Sequence, residues 1–161
     1  MIRLFHLNDT LALLSIYNYY VLHTVVTFDI EILSFETFVE KLDRINKEFP
    51  FLVYEEHGEI LGYAYGSRWR PKPAYKQTVE STVYVKNGFH GKQIGTKLYQ
   101  ELLSILKHQN YHVVLGGLTL PNEASVKLHE KFGFKQVAHF KEVGRKFDTW
   151  LDVGFWQLNL N

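Results

Sequence analysis

The stretch Phe89-His90-Gly91-Lys92-Gln93-Ile94-Gly95-Thr96 stands between a strand-like run, Ser81–Val85, and a helix-like run that ends at His108. A strand that turns through glycines into a helix aims several backbone N–H groups at one point, where the helix dipole adds partial positive charge. Gly91 and Gly95 permit close backbone approach and positive φ. The stretch is not a Walker A loop, because Gly91-Lys92 is followed by Gln93, and its spacing misses the dinucleotide fingerprint. Taken alone it reads equally well as an anion-binding loop or as an ordinary glycine-containing turn. Glu80, just before the strand, has the chemistry of a general base and also that of a solvated strand glutamate. His129 titrates near neutrality and suits proton donation, or a structural hydrogen bond within its helix. Asn122, at the start of the same helix, is either an N-cap or a ligand amide. Arg68-Trp69-Arg70-Pro71-Lys72-Pro73-Ala74-Tyr75 sets cations beside aromatics, a combination suited to an anionic small molecule.

Metal chemistry finds no support. His108 and His112 are four apart, but the expected helix ends between them and no acidic third ligand is evident. His129-Glu130 lacks the second histidine of a zinc-protease helix. The chain has no cysteine, which excludes disulfides, thiolate metal sites and a thiol nucleophile. Lys and Arg total 18 against 17 acidic residues, so nothing draws the protein generally toward nucleic acid or membrane. No signal-like or membrane-length apolar run is present, and a cytoplasmic location is expected.

At 161 residues and 46% hydrophobic composition, one domain over 1–161 is expected, with no repeat or linker. The pattern predicts a strand in Met1–Leu7 and a helix over Thr10–His23 capped by Asn8 or Asp9. A second helix follows Ser34, with Phe35, Phe38, Val39, Leu42 and Ile45 on one face. Two strands flank a turn at His57-Gly58, and a third spans 76–85. A helix over Lys92–His108, a buried strand, a helix with Pro121 in its first turn, and two closing strands complete the chain. The order β-α-α-β-β-β-α-β-α-β-β implies an α/β fold: a central mixed sheet flanked by about four helices and opened for a ligand after the central strand.

Two blocks, "STVYV…GFHGKQIGTKLYQELL" and "GGLTLPNEASVKLHEKFGF", resemble the acetyl-CoA-binding core of the GNAT N-acetyltransferase superfamily. That family's loop reads Gln/Arg-x-x-Gly-x-Gly/Ala. Here Gly95 matches, whereas His90 and Gln93 depart, and weaker CoA affinity is the implied cost. Four blocks from Ile16 to Leu160, among them "GYAYGSRWRPKPAYKQTVESTVYV" and "WLDVGFWQLNL", are similar to the branch containing phosphinothricin and methionine sulfoximine acetyltransferases.

The resemblance implies acetyl transfer from acetyl-CoA to the α-amine of a small amino-acid analogue, by direct attack and without a metal. It implies Glu80 as general base and His129 as proton donor to the leaving sulfur, or as part of a relay with Glu80. Val83, Val85, Gly91, Lys92, Gln93, Ile94, Gly95, Thr96, Asn122 and Lys131 are the implied cofactor contacts. A bulge near Val85 is expected where the strand splays from its neighbour. Arg70, Lys72, Tyr75 and Phe28 are the implied substrate contacts. Arg145, Lys146 and Trp150 are weaker candidates, and a homodimer through the aromatic C-terminal strands is implied. Other readings are acetylation of a polyamine, peptide or protein N-terminus, which the cations of 68–75 oppose, and a non-catalytic CoA-binding module.

Overall fold

The computed structural model describes residues 1–161. Its elements are β1 (Ile2–Leu4), α1 (Thr10–His23), α2 (Phe35–Glu48), β2 (Phe51–Glu56), β3 (Glu59–Arg68), β4 (Thr78–Val85), α3 (Ile94–His108), β5 (Val113–Leu120), α4 (Glu123–Lys131), β6 (Lys135–Lys146) and β7 (Thr149–Asn159). The order of strands and helices is the one read from the sequence. One seven-stranded sheet, ordered β1-β2-β3-β4-β5-β7-β6, contains every strand, with β4 at its centre. All neighbours are antiparallel except β4 and β5, which are joined in parallel through α3.

Local chemistry explains most boundaries. Ser34 caps α2 by accepting from Thr37 N at 3.2 Å, and Asn122 caps α4 by accepting from Ser125 N at 3.2 Å. Glu56 and Glu59 pair across His57-Gly58, and both turn residues take positive φ, as a two-residue hairpin requires. Pro121 lies before the Asn122 cap, not in the first turn of α4, and α3 starts at Ile94 rather than Lys92. The expected bulge near Val85 is also absent: β3 and β4 pair without interruption from Gly62–Val85 to Arg68–Val79. The irregularities fall instead in β2 at Tyr54/Glu55 and in β6.

The sheet separates two cores. On one face α3 buries Leu98, Leu102 and Leu106 against Val79, Val114 and Trp156. On the other, α1 and α2 bury Leu13, Tyr17, Phe38 and Leu42 against Phe51, Val53, Tyr63 and Tyr65. This strand alternation, period two across a sheet covered on both sides, fixes which β4 side chain reaches which core. No helix is long and apolar enough to cross a membrane. Leu102 is fully buried, so Leu102→Ala should cost about 2–5 kcal/mol of unfolding free energy in a urea titration. Ser34→Ala, which removes one cap, should cost only about 1 kcal/mol in the same assay.

Candidate active site

The parallel pairing of β4 with β5 is short. It joins Thr78, Val79 and Glu80 to Val113, Val114 and Leu115 and then stops. Beyond it Ser81–Val85 pair only with β3, and Gly116–Leu120 only with β7. A gap therefore opens in the middle of the sheet. Lys86 N donates to Leu61 O at 2.8 Å, so in this antiparallel register the even-numbered residues of β4 turn their backbone groups to β3. Val83 and Val85 consequently turn theirs into the gap. Tyr20 of α1 donates its hydroxyl proton to Val85 O at 2.5 Å and accepts from His90 Nε2 at 2.7 Å. One phenol thus ties the rim of the gap to the glycine loop.

Glu80 and Ser81, adjacent in sequence, face opposite cores. Glu80 projects toward α1 and α2, with Oε1 against the open backbone of Gly117. It is half-buried, has no ion-pair or hydrogen-bond partner, and burial raises its pKa above the ordinary 4.5. Ser81 projects toward α3, where its Oγ lies 2.7 Å from the Tyr99 hydroxyl and 3.3 Å from Leu115 O. Tyr99 in turn lies 2.8 Å from His129 Nε2, and His129 Nδ1 lies 2.7 Å from Ser125 O.

These contacts fix the protons. A carbonyl only accepts, so Nδ1 carries the hydrogen and Nε2 accepts from Tyr99. Burial lowers the His129 pKa, which keeps the ring neutral, and raises that of Tyr99, which keeps the phenol protonated. The Nε2–Cδ2 edge of the imidazole lies against Gly116, where any Cβ would overlap it. Both ring nitrogens are engaged, and no hydrogen bond joins His129 to Glu80.

A cavity of about 300 Å³ runs through the gap, lined from both faces by Phe28, Glu80, Ser81, Val83, Tyr99 and Asn122, among others. Asn122 spends its Oδ1 on the cap and keeps its Nδ2 free. The glycine loop lies on the α3 side. Gly91 has φ +79°, and Gln93, the α3 N-cap, has φ +61° with no side-chain cap. Left-handed backbone at a glutamine costs on the order of 1 kcal/mol. It turns the exposed side chain outward and leaves the N–H groups of Ile94, Gly95 and Thr96 without a capping oxygen. Lys92 lies over the Phe89 ring, 4.6 Å from its centroid, at the same loop. These uncapped N–H groups and the helix dipole give this end of α3 partial positive charge.

Other residues singled out in the sequence fall elsewhere. Arg70, Lys72 and Tyr75 line a separate depression of about 440 Å³ with Thr78 and Tyr111. Lys131 is exposed at the far end of α4 and lines no part of the gap. Phe28 does line it, held by a stack of supports: its ring covers Gly144, Lys146 Nζ donates to Thr27 O at 2.9 Å, and Tyr17 bonds both Thr27 and Asp29. Trp150 is 59% exposed under the Arg145 guanidinium. Ser81 and Tyr99 were not singled out. In the sequence Tyr99 is one more apolar residue on the buried stripe of a helix, and only its hydroxyl hints otherwise.

Residues 2–154 match the family described as Acetyltransferase (GNAT) domain. Phosphinothricin N-acetyltransferase of Streptomyces coelicolor is 40% identical over 154 residues, covering 93% of this chain and 90% of that protein. The L-methionine sulfoximine/L-methionine sulfone acetyltransferase of Salmonella typhimurium is 36% identical over 154 residues, covering 95% and 90%. The crystal structure of a GNAT superfamily phosphinothricin acetyltransferase from Sinorhizobium meliloti in complex with AcCoA superposes with a TM-score of 0.97. It is 28% identical, covering 100% of this chain and 88% of that one.

The buried His129 makes a testable demand on stability. Its folded pKa lies below the ordinary 6.5, so below pH 6.5 the unfolded chain binds a proton that the folded chain refuses. Stability should therefore fall as pH drops from 6.5 toward the lowered folded value, by at most ~1.4 kcal/mol per pH unit from this site. Urea titrations at pH 7.5 and 5.5 should show a smaller fall in His129→Asn than in the wild type.

Proposed function

The chain belongs to the GNAT acetyltransferase family, and from that premise we propose that it acetylates the α-amine of a small amino-acid analogue, of the phosphinothricin or methionine sulfoximine/sulfone type, using acetyl-CoA. The observation that carries this reading is the gap between β4 and β5, with unpaired backbone on one side and an isolated, half-buried carboxylate on the other.

Acetyl-CoA supplies the activated acetyl thioester. The uncapped N–H groups of Ile94, Gly95 and Thr96, with Gly91, Lys92 and Gln93 around them, suit its pyrophosphate. The gap-facing backbone of Val83 and Val85 suits its pantetheine arm and would polarise the thioester carbonyl. Asn122 Nδ2 is a further donor at the same place. The α3/α4 face is therefore the cofactor side and the α1/α2 face the acceptor side. Glu80 takes the proton from the acceptor ammonium, and its raised pKa makes it a better base than an ordinary carboxylate. Tyr99 is the donor for the departing thiolate: the hydroxyl proton that it gives to His129 Nε2 at rest turns to the sulfur, the phenolate left behind accepts from the Ser81 hydroxyl, and solvent restores the proton after CoA leaves. No cysteine is available to carry the acetyl group, so transfer runs directly between the two bound substrates. Phe28 forms an apolar wall of the cavity. Residues 1–161 act as one domain. The exposed Phe140 and Val143 of β6, Phe147 of the turn that follows and Trp150 of β7 offer an apolar surface for a homodimer.

The test is release of CoA thiol from acetyl-CoA with phosphinothricin, methionine sulfoximine, methionine sulfone, spermidine and a short peptide as acceptors. Turnover confined to the amino-acid analogues is the expected result; turnover of spermidine or the peptide alone would overturn the substrate class. Glu80→Gln should lower kcat by roughly 10²–10⁴-fold with little change in acetyl-CoA affinity. An equal loss of both would remove Glu80 from the role of base. For the wild type, kcat/KM should rise with pH through an acid limb displaced upward from 4.5, because the base works only when deprotonated.

A further inference from the structure

On the α1/α2 face, Glu80 shares a depression of about 480 Å³ with Lys41, Arg44, Tyr65, Ser67 and Thr82. Lys41 and Arg44 sit three residues apart on α2, so both point from one helix face into it. Lys41 is half-buried, its Nζ 4.9 Å from the centroid of the Tyr17 ring. Burial lowers its pKa, Asp29 partly restores it, and Arg44 lowers it further by like-charge repulsion. The ion pairs that α2 makes are Lys47–Asp43 and Glu48–Arg68; Lys41 and Arg44 take part in neither. Asp29 is engaged by the Tyr17 hydroxyl. The fold thus holds one cation partly out of water, with a second beside it, and gives neither a direct ion pair; Asp29 acts on Lys41 only through its field, and Glu48, which lines the same depression, is paired with Arg68. A half-buried cation with no carboxylate in contact is stabilised by an anion placed beside it.

We propose that Lys41 and Arg44 form the site for the carboxylate of an amino-acid acceptor whose ammonium meets Glu80, an inference that rests on the acetyltransferase reading above. The electrostatics require such a pair. Glu80 works as a base only when deprotonated; an acceptor carboxylate entering beside it is then repelled, and two cations on the facing helix offset that repulsion. They also fix which end of the zwitterion points to the base. Ser67 and Thr82 line the same cavity, the Ser67 hydroxyl donating to Glu80 O at 3.4 Å. Arg68 is held by Glu48 at 2.6 Å and is not free to do so. The rival assignment is Arg70 and Lys72, which line the neighbouring depression without Glu80.

The experiment compares L-methionine sulfone with its carboxamide, which keeps the amine and loses the carboxylate, in wild type, Lys41→Met, Arg44→Gln and the double variant Arg70→Gln/Lys72→Gln. Lys41→Met should raise KM for the acid tenfold or more. It should leave KM for acetyl-CoA and the carboxamide's kcat/KM within twofold of wild type, so that the preference for the acid is lost. Arg44→Gln should do the same more weakly, and Lys41→Arg should keep most of the preference. Loss confined to the Arg70/Lys72 variant, or an equal loss for acid and amide in Lys41→Met, would overturn the assignment while leaving the proposed reaction standing. Failure of the wild type to turn over any amino-acid acceptor would overturn both.

Discussion

The parallel seam between β4 and β5 holds for only three residue pairs, and the rest of the site depends on where it ends. Backbone N–H and C=O groups inside a sheet are obligatory hydrogen-bonding groups, so a seam that parts leaves a row of them unspent. Here the row belongs to Val83 and Val85, and the only protein group that answers it is the Tyr20 hydroxyl on Val85 O. A gap of this kind needs no bulge. Regular pairing of β4 to β3 on its other edge holds the strand straight while β5 turns away toward β7.

Because β4 is pleated, the same gap presents different chemistry on its two faces. Glu80 and Ser81 differ by one position, yet one meets the α1/α2 layer and the other the α3/α4 layer. Burial then acts in opposite directions on the two sides. It favours the neutral form of every group, raising the Glu80 carboxyl and the Tyr99 phenol and lowering the His129 imidazole. The result is an avid carboxylate on one side of the sheet and a neutral chain of hydroxyl, phenol and imidazole on the other. In the proposed reaction these are the proton acceptor and the proton donor, kept apart by the strand itself.

Several non-obvious contacts keep the gap in register with its surroundings. His90, which departs from the family's usual loop residue, is bonded to Tyr20, so the loop is fastened to α1 across the sheet edge. Gln93, the other departure, takes the left-handed conformation that the turn into α3 demands and stays exposed. On the far side Lys146, 3% exposed, reaches from the end of β6 to Thr27 O, and Gly144 leaves room for the Phe28 ring. The wall of the cavity is therefore set by a contact spanning 119 residues.

The order of strands and helices was legible in the sequence because each element carries its own period, cap or turn residue. Ser34 and Asn122 cap, His57-Gly58 turns, and the apolar stripes of α2 and α3 repeat every three to four residues. Asn122 and the glycine loop were legible for the same reason: each sits at a local junction whose type its neighbours announce, whereas Glu80, inside β4, stood out only through the family resemblance. What the sequence did not settle is which distant side chains share a space. The Ser81–Tyr99–His129 chain, the separation of Glu80 from His129 by the sheet, and the place of Lys41 and Arg44 beside Glu80 all join residues 18 to 49 positions apart. Arg70 and Lys72, conspicuous in sequence, lie outside Glu80's cavity, while the inconspicuous Lys41 lies within it. Local pattern is written in the chain because it depends on neighbours within a few residues. A cavity depends on how whole layers pack, and that is decided only when the sheet, its parted seam and its two helix layers come together.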